Sequence, residues 1–79
     1  MDDLTADTLE SAQKALGHRI RSLRKQKGWS QEAFARMCGL DLSYLHQIEQ
    51  GENNLPCSTL LAIAEKLDTT VSALLEGIA

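Results

Sequence analysis

Aromatic residues are scarce in this 79-residue chain, which contains one Trp, one Tyr and one Phe. Because 43% of its residues are hydrophobic, a core can still form, but it must be largely aliphatic. The N-terminal sequence MDDLTADTLE lacks the basic region and the apolar run of a signal peptide. No apolar stretch approaches the roughly 20 residues that a membrane-spanning helix needs. These absences predict a small helical domain in the cytoplasm, with no membrane partner.

Cysteine and histidine are also too few and too dispersed to suggest a reactive site. Cys38 and Cys57 form no C-x-x-C pair, and neither accompanies histidines at zinc-ligand spacing. We interpret both as small buried hydrophobic residues in a reducing compartment. His18 and His46 are distant in sequence, and no Ser/His/Asp or Cys/His set has workable spacing for catalysis. We therefore expect no metal, no other cofactor and no enzymatic activity.

The charge is unevenly distributed, although the formal net charge is −3. Between residues 14 and 36 lie seven basic residues and one acidic residue, Glu32, which gives this region a net charge of +6. Two interpretations are open. The basic residues form the solvated face of a helix, which composition alone favours, or they attract nucleic acid.

Leucine and isoleucine recur at helical spacing in the first third of the chain. They predict a first helix from about Thr8 to Lys27. Gly28 follows at the position where a glycine in the left-handed conformation commonly ends a helix. We expect residues 1–8 to be an acidic, flexible N-terminal segment. Further along, Pro56 fits the opening turn of a fourth helix, and a short fifth helix should end at Gly77.

Between these helices lie two short ones, separated by a glycine. Ser30 suits the N-cap of a second helix, Gln31 to Cys38, which Gly39 would end. Asp41 can cap a third helix that ends before Gly51. Hydrophobic staples are expected at both helix starts, pairing Trp29 with Phe34 and Leu40 with Leu45. This arrangement is typical of a helix-turn-helix, although other α-hairpins share it.

The third helix should present a polar face to solvent. Leu45 and Ile48 are three residues apart and form one narrow apolar stripe toward the core. The opposite face is formed by five side chains at helical spacing: Leu42, Ser43, His46, Gln47 and Gln50.

The segment RKQKGWSQEAFARMCGLDLSYLHQIEQG resembles the helix-turn-helix of the lambda-repressor/Cro (xenobiotic-response-element) family. The matching features include Ser30-Gln31 at the start of the second helix, Gly39 at the turn and Ile48-Glu49 before Gly51, and the likeness extends from about Gly17 to Gly77. The resemblance implies an all-α, compact five-helix DNA-binding domain over residues 1–79. It also implies a sequence-specific transcriptional regulator that binds operator DNA as a homodimer.

Within that family, the chain is most similar to the controller proteins of restriction-modification systems. The similar residues are Tyr44-Leu45, Glu49, Gly51 and Asn54-Leu55. It departs from those controllers at three positions where they tend to carry arginine or another basic residue, namely Leu42, Gln50 and Asn53. The departures predict a different DNA sequence or a lower affinity.

The resemblance divides the candidate DNA-contacting residues into two groups, because base contacts specify the sequence while phosphate contacts fix position. We expect Leu42, Ser43, His46 and Gln47 to contact bases, with Gln47 suited to adenine and Leu42 to a thymine methyl group. We expect the phosphate contacts to come from five residues: Arg21, Gln31, Tyr44, Asn53 and Asn54. For His46, Arg21 and Tyr44, an ordinary structural or solvated role is an equal alternative.

Two further groups have expected structural roles. The resemblance implies an ion pair between Arg24 and Glu49 that ties the first helix to the end of the third. A dimer would need apolar residues beyond those of the core, and the candidates are Leu61, Leu74, Leu75 and Ile78. The alternative is that these residues complete a small core, and this alternative is favoured for Leu74.

A second function class stays open at this stage. The chain can instead be a protein-interaction module, such as the antitoxin of a toxin-antitoxin pair or a component of a restriction-modification system. Its acidic ends would then contact a basic partner. Double-stranded DNA is the leading partner, and a toxin or RNA polymerase is a candidate protein partner.

Overall fold

A computed structural model describes the backbone of residues 2–52 and 55–78, and the side chains of these residues from Leu9 onward. Within those residues the chain forms five helices and no strand: α1 (Asp2–Gln26), α2 (Gln31–Cys38), α3 (Leu42–Gln50), α4 (Cys57–Lys66) and α5 (Val71–Leu75). The predicted all-α fold, with the helix-turn-helix at α2 and α3, is confirmed.

The start of the first helix was predicted too late. The backbone is helical from Asp2, whereas hydrophobic spacing placed the start of the helix near Thr8. The residues that precede Thr8 lack the apolar repeat from which that boundary was read. At its other end α1 stops as predicted, and the Gly28 amide N–H donates to the Lys25 carbonyl at 2.9 Å.

Local hydrogen bonds define the turn between α2 and α3. Ser30 caps α2 by accepting the Ala33 amide N–H at 3.1 Å. Gly39 follows α2 with φ 70°, a left-handed conformation that glycine adopts without a Cβ clash. Asp41 occupies the N-cap position of α3, but its side chain accepts no capping hydrogen bond, so the predicted role of its carboxylate is wrong.

The core lies where all five helices meet, and it is almost entirely aliphatic. It contains Ile20, Phe34, Ala35, Leu45, Ile48, Leu60, Ile63, Ala64, Leu67 and Leu74. The predicted staple at α2 is present, because the Trp29 and Phe34 rings stack with centroids 5.7 Å apart. Leu74 is 0% exposed, so it belongs to the core, the alternative favoured for it, and not to a dimer interface: α5 is only one turn long and needs this side chain to anchor it.

Helix α1 lies directly against the C-terminal end of α3, and two glycines allow this close approach. A Cβ at position 17 would overlap the Ile48 carbonyl oxygen and lie 2.9 Å from that of Glu49. At Gly51, a Cβ would lie 2.6 Å from Lys14 Cα. The end of α3 is therefore held by backbone contact with α1, which fixes its position more rigidly than long side chains would.

Arg19 provides a second connection from α1, to the short helix α5. Its guanidinium Nη1 donates to the Leu74 carbonyl at 3.0 Å and also to the Glu76 carbonyl. The last carbonyls of a helix lack partners within the helix, so an arginine there satisfies them and complements the helix dipole. In the sequence, Arg19 is recognisable only as one of the seven basic residues between positions 14 and 36.

We expect Gly17→Ala to destabilise the protein, although alanine normally stabilises a helix relative to glycine by about 1 kcal/mol. The added methyl group must displace the backbone of α3, and such overpacking costs about 1–3 kcal/mol. Thermal melting followed by circular dichroism would measure this cost, with Ser11→Ala, at an exposed position of α1, as the matched control. A higher melting temperature for Gly17→Ala would contradict the close packing of α1 and α3.

Candidate nucleic-acid interface

The outer face of α3 is open to solvent. Leu42, Ser43, His46, Gln47 and Gln50 are all exposed, whereas Leu45 and Ile48 on the same helix are buried. The five exposed residues line a shallow cleft, together with Gln31 from α2 and Glu52 after α3. All four residues expected to contact bases thus lie on one accessible surface.

Behind this face, a buried ion pair joins α1 to α3. Arg24 Nε donates to Glu49 Oε2 at 2.7 Å, and Arg24 Nη2 donates to Glu49 Oε1 at 3.0 Å. Both residues are nearly inaccessible to solvent, with exposures of 5% and 6%. The predicted pair is therefore present in bidentate geometry, which fixes orientation as well as distance.

Two further hydrogen bonds extend this pair to α2. Arg24 Nη1 donates to the Trp29 carbonyl at 2.7 Å, and Gln31 Nε2 donates to Glu49 Oε1 at 2.9 Å. Arg24, Glu49, Gln31 and the Trp29 carbonyl form what we call the anchor network. No buried side-chain nitrogen or oxygen in the described part of the chain lacks a partner, as a stable buried network requires.

The role of Gln31 therefore extends beyond the one expected for it. It was expected to contact a phosphate from the first turn of α2, but one of its amide protons binds Glu49. Its backbone N–H remains at the positive end of the helix dipole, where an anion is favoured. The sequence placed Gln31 and Glu49 18 positions apart and offered no local spacing from which to predict their contact.

The other expected phosphate-contacting residues have different surroundings. Arg21 is exposed and borders a cleft above the anchor network, beside His46 and Gln50. Tyr44 is half-buried and packs against the core, in line with its alternative structural role. Asn53 and Asn54 lie outside the described residues.

The two cysteines differ in environment. Burial raises the pKa of the Cys38 thiol, which the nearby Lys66 ammonium lowers to a smaller extent. Cys38 is half-buried and packs against the core, in line with its interpretation as a small hydrophobic residue. Cys57 is exposed at the start of α4, so its expected burial is wrong. In the ranges with described side chains, no three His, Cys, Asp or Glu residues are grouped as metal ligands would be.

The apolar residues assigned to a dimer interface do not share one environment. Leu61 on α4 is 58% exposed and Leu75 on α5 is 40% exposed. Ile78 is half-buried, while Leu74 belongs to the core.

Among helices that the structure describes, none combines the length and apolar character needed to cross a membrane.

Comparison with known proteins identifies the family to which this architecture belongs. The family model described as helix-turn-helix matches residues 20–74. A hypothetical transcription factor of Neisseria meningitidis is 38% identical over 60 residues, which cover 76% of this chain. The match spans 57% of that relative, so the chain corresponds to little more than half of its length.

Two solved structures are similar to the model. The restriction-modification controller protein C.AhdI from Aeromonas hydrophila has a TM-score of 0.73 and 38% identity, over 87% of this chain and 97% of that one. The biofilm regulator SinR, in complex with DNA, has a TM-score of 0.72 and 36% identity, over 76% and 97%. These similar proteins are transcription factors and regulators rather than enzymes. The chain belongs to the helix-turn-helix family of DNA-binding transcription regulators, and its resemblance to restriction-modification controllers is confirmed.

Proposed function

We propose that this protein is a sequence-specific transcriptional regulator that binds operator DNA as a homodimer, with α3 in the major groove. The observation that supports this most strongly is the division of α3 into two faces. One face is fixed to α1 and α2 by the anchor network, and the other is exposed and polar. A helix held in this way can present donors and acceptors to base edges without losing its orientation.

Four of the exposed residues of α3 are the proposed base-contacting residues. Gln47 can accept from adenine N6 and donate to N7, while Ser43 and His46 can each donate or accept a single hydrogen bond. Leu42 is 43% exposed at the start of the helix, where it can contact a thymine methyl group. Each good contact contributes to discrimination between bases rather than to general affinity for DNA.

The phosphate contacts would come from both sides of α3. Arg21 supplies an exposed positive charge beside the cleft, and Gln31 supplies a helix N-terminus and a polar side chain. The Tyr44 hydroxyl, together with Asn53 and Asn54, completes the proposed set. Positively charged groups near the surface matter because the whole chain is acidic, with a net charge of −3.

A dimer would double the length of DNA that is read. One recognition helix contacts only a few base pairs, and helix-turn-helix proteins commonly bind two half-sites about one DNA turn apart. The exposed Leu61 and Leu75, with Ile78, are the proposed apolar residues of a symmetric interface. Such an interface removes these side chains from water, which favours association.

The function is tested first by selecting binding sites from randomised duplex DNA. We expect a two-fold-related site, and we expect Gln47→Ala to weaken binding to it by about 5- to 150-fold per half-site, the range for one bidentate base contact. Binding to a scrambled duplex should change little. Gln26→Ala, at an exposed position on α1, is the matched control. Enrichment of no sequence would overturn the proposed function.

The stability of the fold should depend on Glu49 much more than on Gln47. We expect Glu49→Ala to destabilise the fold by about 3–5 kcal/mol, because it leaves the Arg24 guanidinium buried without its charged partner. Gln47→Ala should change the free energy of unfolding by less than about 0.5 kcal/mol, since the Gln47 side chain is exposed. Urea unfolding would measure both changes. A larger loss for Gln47→Ala would refute these assignments.

Dimerisation has its own test in sedimentation equilibrium at about 10 µM protein. We expect the wild type to be a dimer and Leu61→Glu to be a monomer, because a two-fold axis would bring two buried carboxylates together. Leu9→Glu is the control, since Leu9 is an exposed leucine on α1. A monomeric wild type, or a Leu61→Glu variant that stays dimeric, would count against the proposed interface.

A further inference from the structure

The exposed face of α3 contains no arginine or lysine. Between Leu42 and Gln50 the sequence is LSYLHQIEQ, and its one acidic residue, Glu49, is buried in the anchor network. The solvent-facing groups are one aliphatic side chain, one hydroxyl, one imidazole and two primary amides. A surface of this composition can distinguish bases only by neutral hydrogen bonds, by apolar contact or through its imidazole.

Nearby arginines do not compensate for this lack of positive charge. The Arg24 guanidinium is buried and binds Glu49 and the Trp29 carbonyl. Arg21 borders the cleft above the anchor network, whereas Leu42 and Gln47 line the neighbouring cleft, which also contains the Glu52 carboxylate. A carboxylate at that position adds no donor for guanine, whose N7 and O6 atoms are both hydrogen-bond acceptors.

The chemistry of base edges then favours one class of sequence. Arginine or lysine is the usual partner of guanine in the major groove, glutamine pairs with adenine, and an apolar side chain contacts the thymine methyl group. Gln47 can supply the contact to adenine and Leu42 the contact to the thymine methyl group. They are five residues apart, which corresponds to about 7.5 Å along the helix, so we expect them to contact different base pairs.

We propose that each half-site is read as an A·T sequence, in which a thymine methyl group packs on Leu42 and an adenine at another base pair binds Gln47. This inference rests on the proposed function and specifies the DNA that the same surface recognises. The contact between Leu42 and a thymine methyl group is the distinctive part of this inference. An exposed leucine at the first position of α3 contributes little to the core, but it gains favourable burial when a methyl group covers it.

The test begins with the sequence enriched from randomised duplex DNA. Each thymine of that site is replaced in turn by deoxyuridine, which removes the 5-methyl group and keeps the base-pairing groups. We expect one thymine per half-site at which this replacement weakens wild-type binding by about three- to five-fold, the effect of one buried methyl group. Leu42→Ala should bind the thymine and uracil duplexes equally.

Matched variants make this result specific to Leu42. Leu9→Ala, at an exposed leucine on α1, should keep the wild-type preference for thymine. Leu42→Gln provides a second test should Leu42→Ala fold poorly, because glutamine is a good helix former that exchanges the apolar contact for a polar one. It should also lose the thymine preference. Circular dichroism melts would establish that each variant is folded before binding is measured.

The outcomes separate the failure of this inference from the failure of the proposed function. An A·T half-site with a thymine preference that Leu42 substitutions abolish would support the inference. A specific site centred on G·C pairs, or the absence of any thymine preference, would overturn it and leave a sequence-specific regulator. A thymine preference that persists in both Leu42 variants would overturn the assignment to Leu42. Failure to enrich any sequence would overturn both proposals.

Discussion

The bidentate pair between Arg24 and Glu49 is the interaction on which the arrangement of this domain depends. Burying two charges is costly, and the pair offsets this cost only because its geometry is good and its remaining groups are hydrogen-bonded. Those bonds reach the Trp29 carbonyl and the Gln31 amide, so one carboxylate connects α1, α2 and α3. A hydrophobic contact at this position could stabilise the fold equally well, but it would not fix the rotation of α3 as strictly.

Close backbone packing complements the ion pair. Gly17 and Gly51 let α1 approach the C-terminal end of α3 to a distance that any side chain at either position would prevent. The buried half of α3 is thus held by both charge and shape, and its outer half faces solvent. Under the proposed function, the polar, largely uncharged character of that outer half would make specificity depend on neutral contacts, with general attraction to phosphates supplied by exposed basic residues such as Arg21.

Much of this structure could be predicted from the sequence because the deciding interactions are local. Ser30 and Gly39 set the bounds of α2, which were predicted to the residue, and the resemblance correctly paired Arg24 with Glu49. Contacts between distant segments were harder to predict. The Arg19 bonds to the end of α5 join residues 55 and 57 positions apart, and no periodic pattern encodes them. Leu74 was named both as a dimer candidate and as a core residue, because a leucine in a one-turn helix looks the same in sequence whether it faces the core or a partner.

The most direct test of the anchor network is the double variant Arg24→Met with Glu49→Leu, compared with the wild type on the selected duplex and on a scrambled one. Replacing a buried ion pair by apolar residues of similar volume often leaves stability unchanged, so the variant should fold. The account predicts that its specific affinity falls at least about ten-fold, a loss of roughly 1.4 kcal/mol, while binding to the scrambled duplex is kept. A folded double variant that discriminates between the two duplexes as well as the wild type would contradict the claim that this network orients the recognition face.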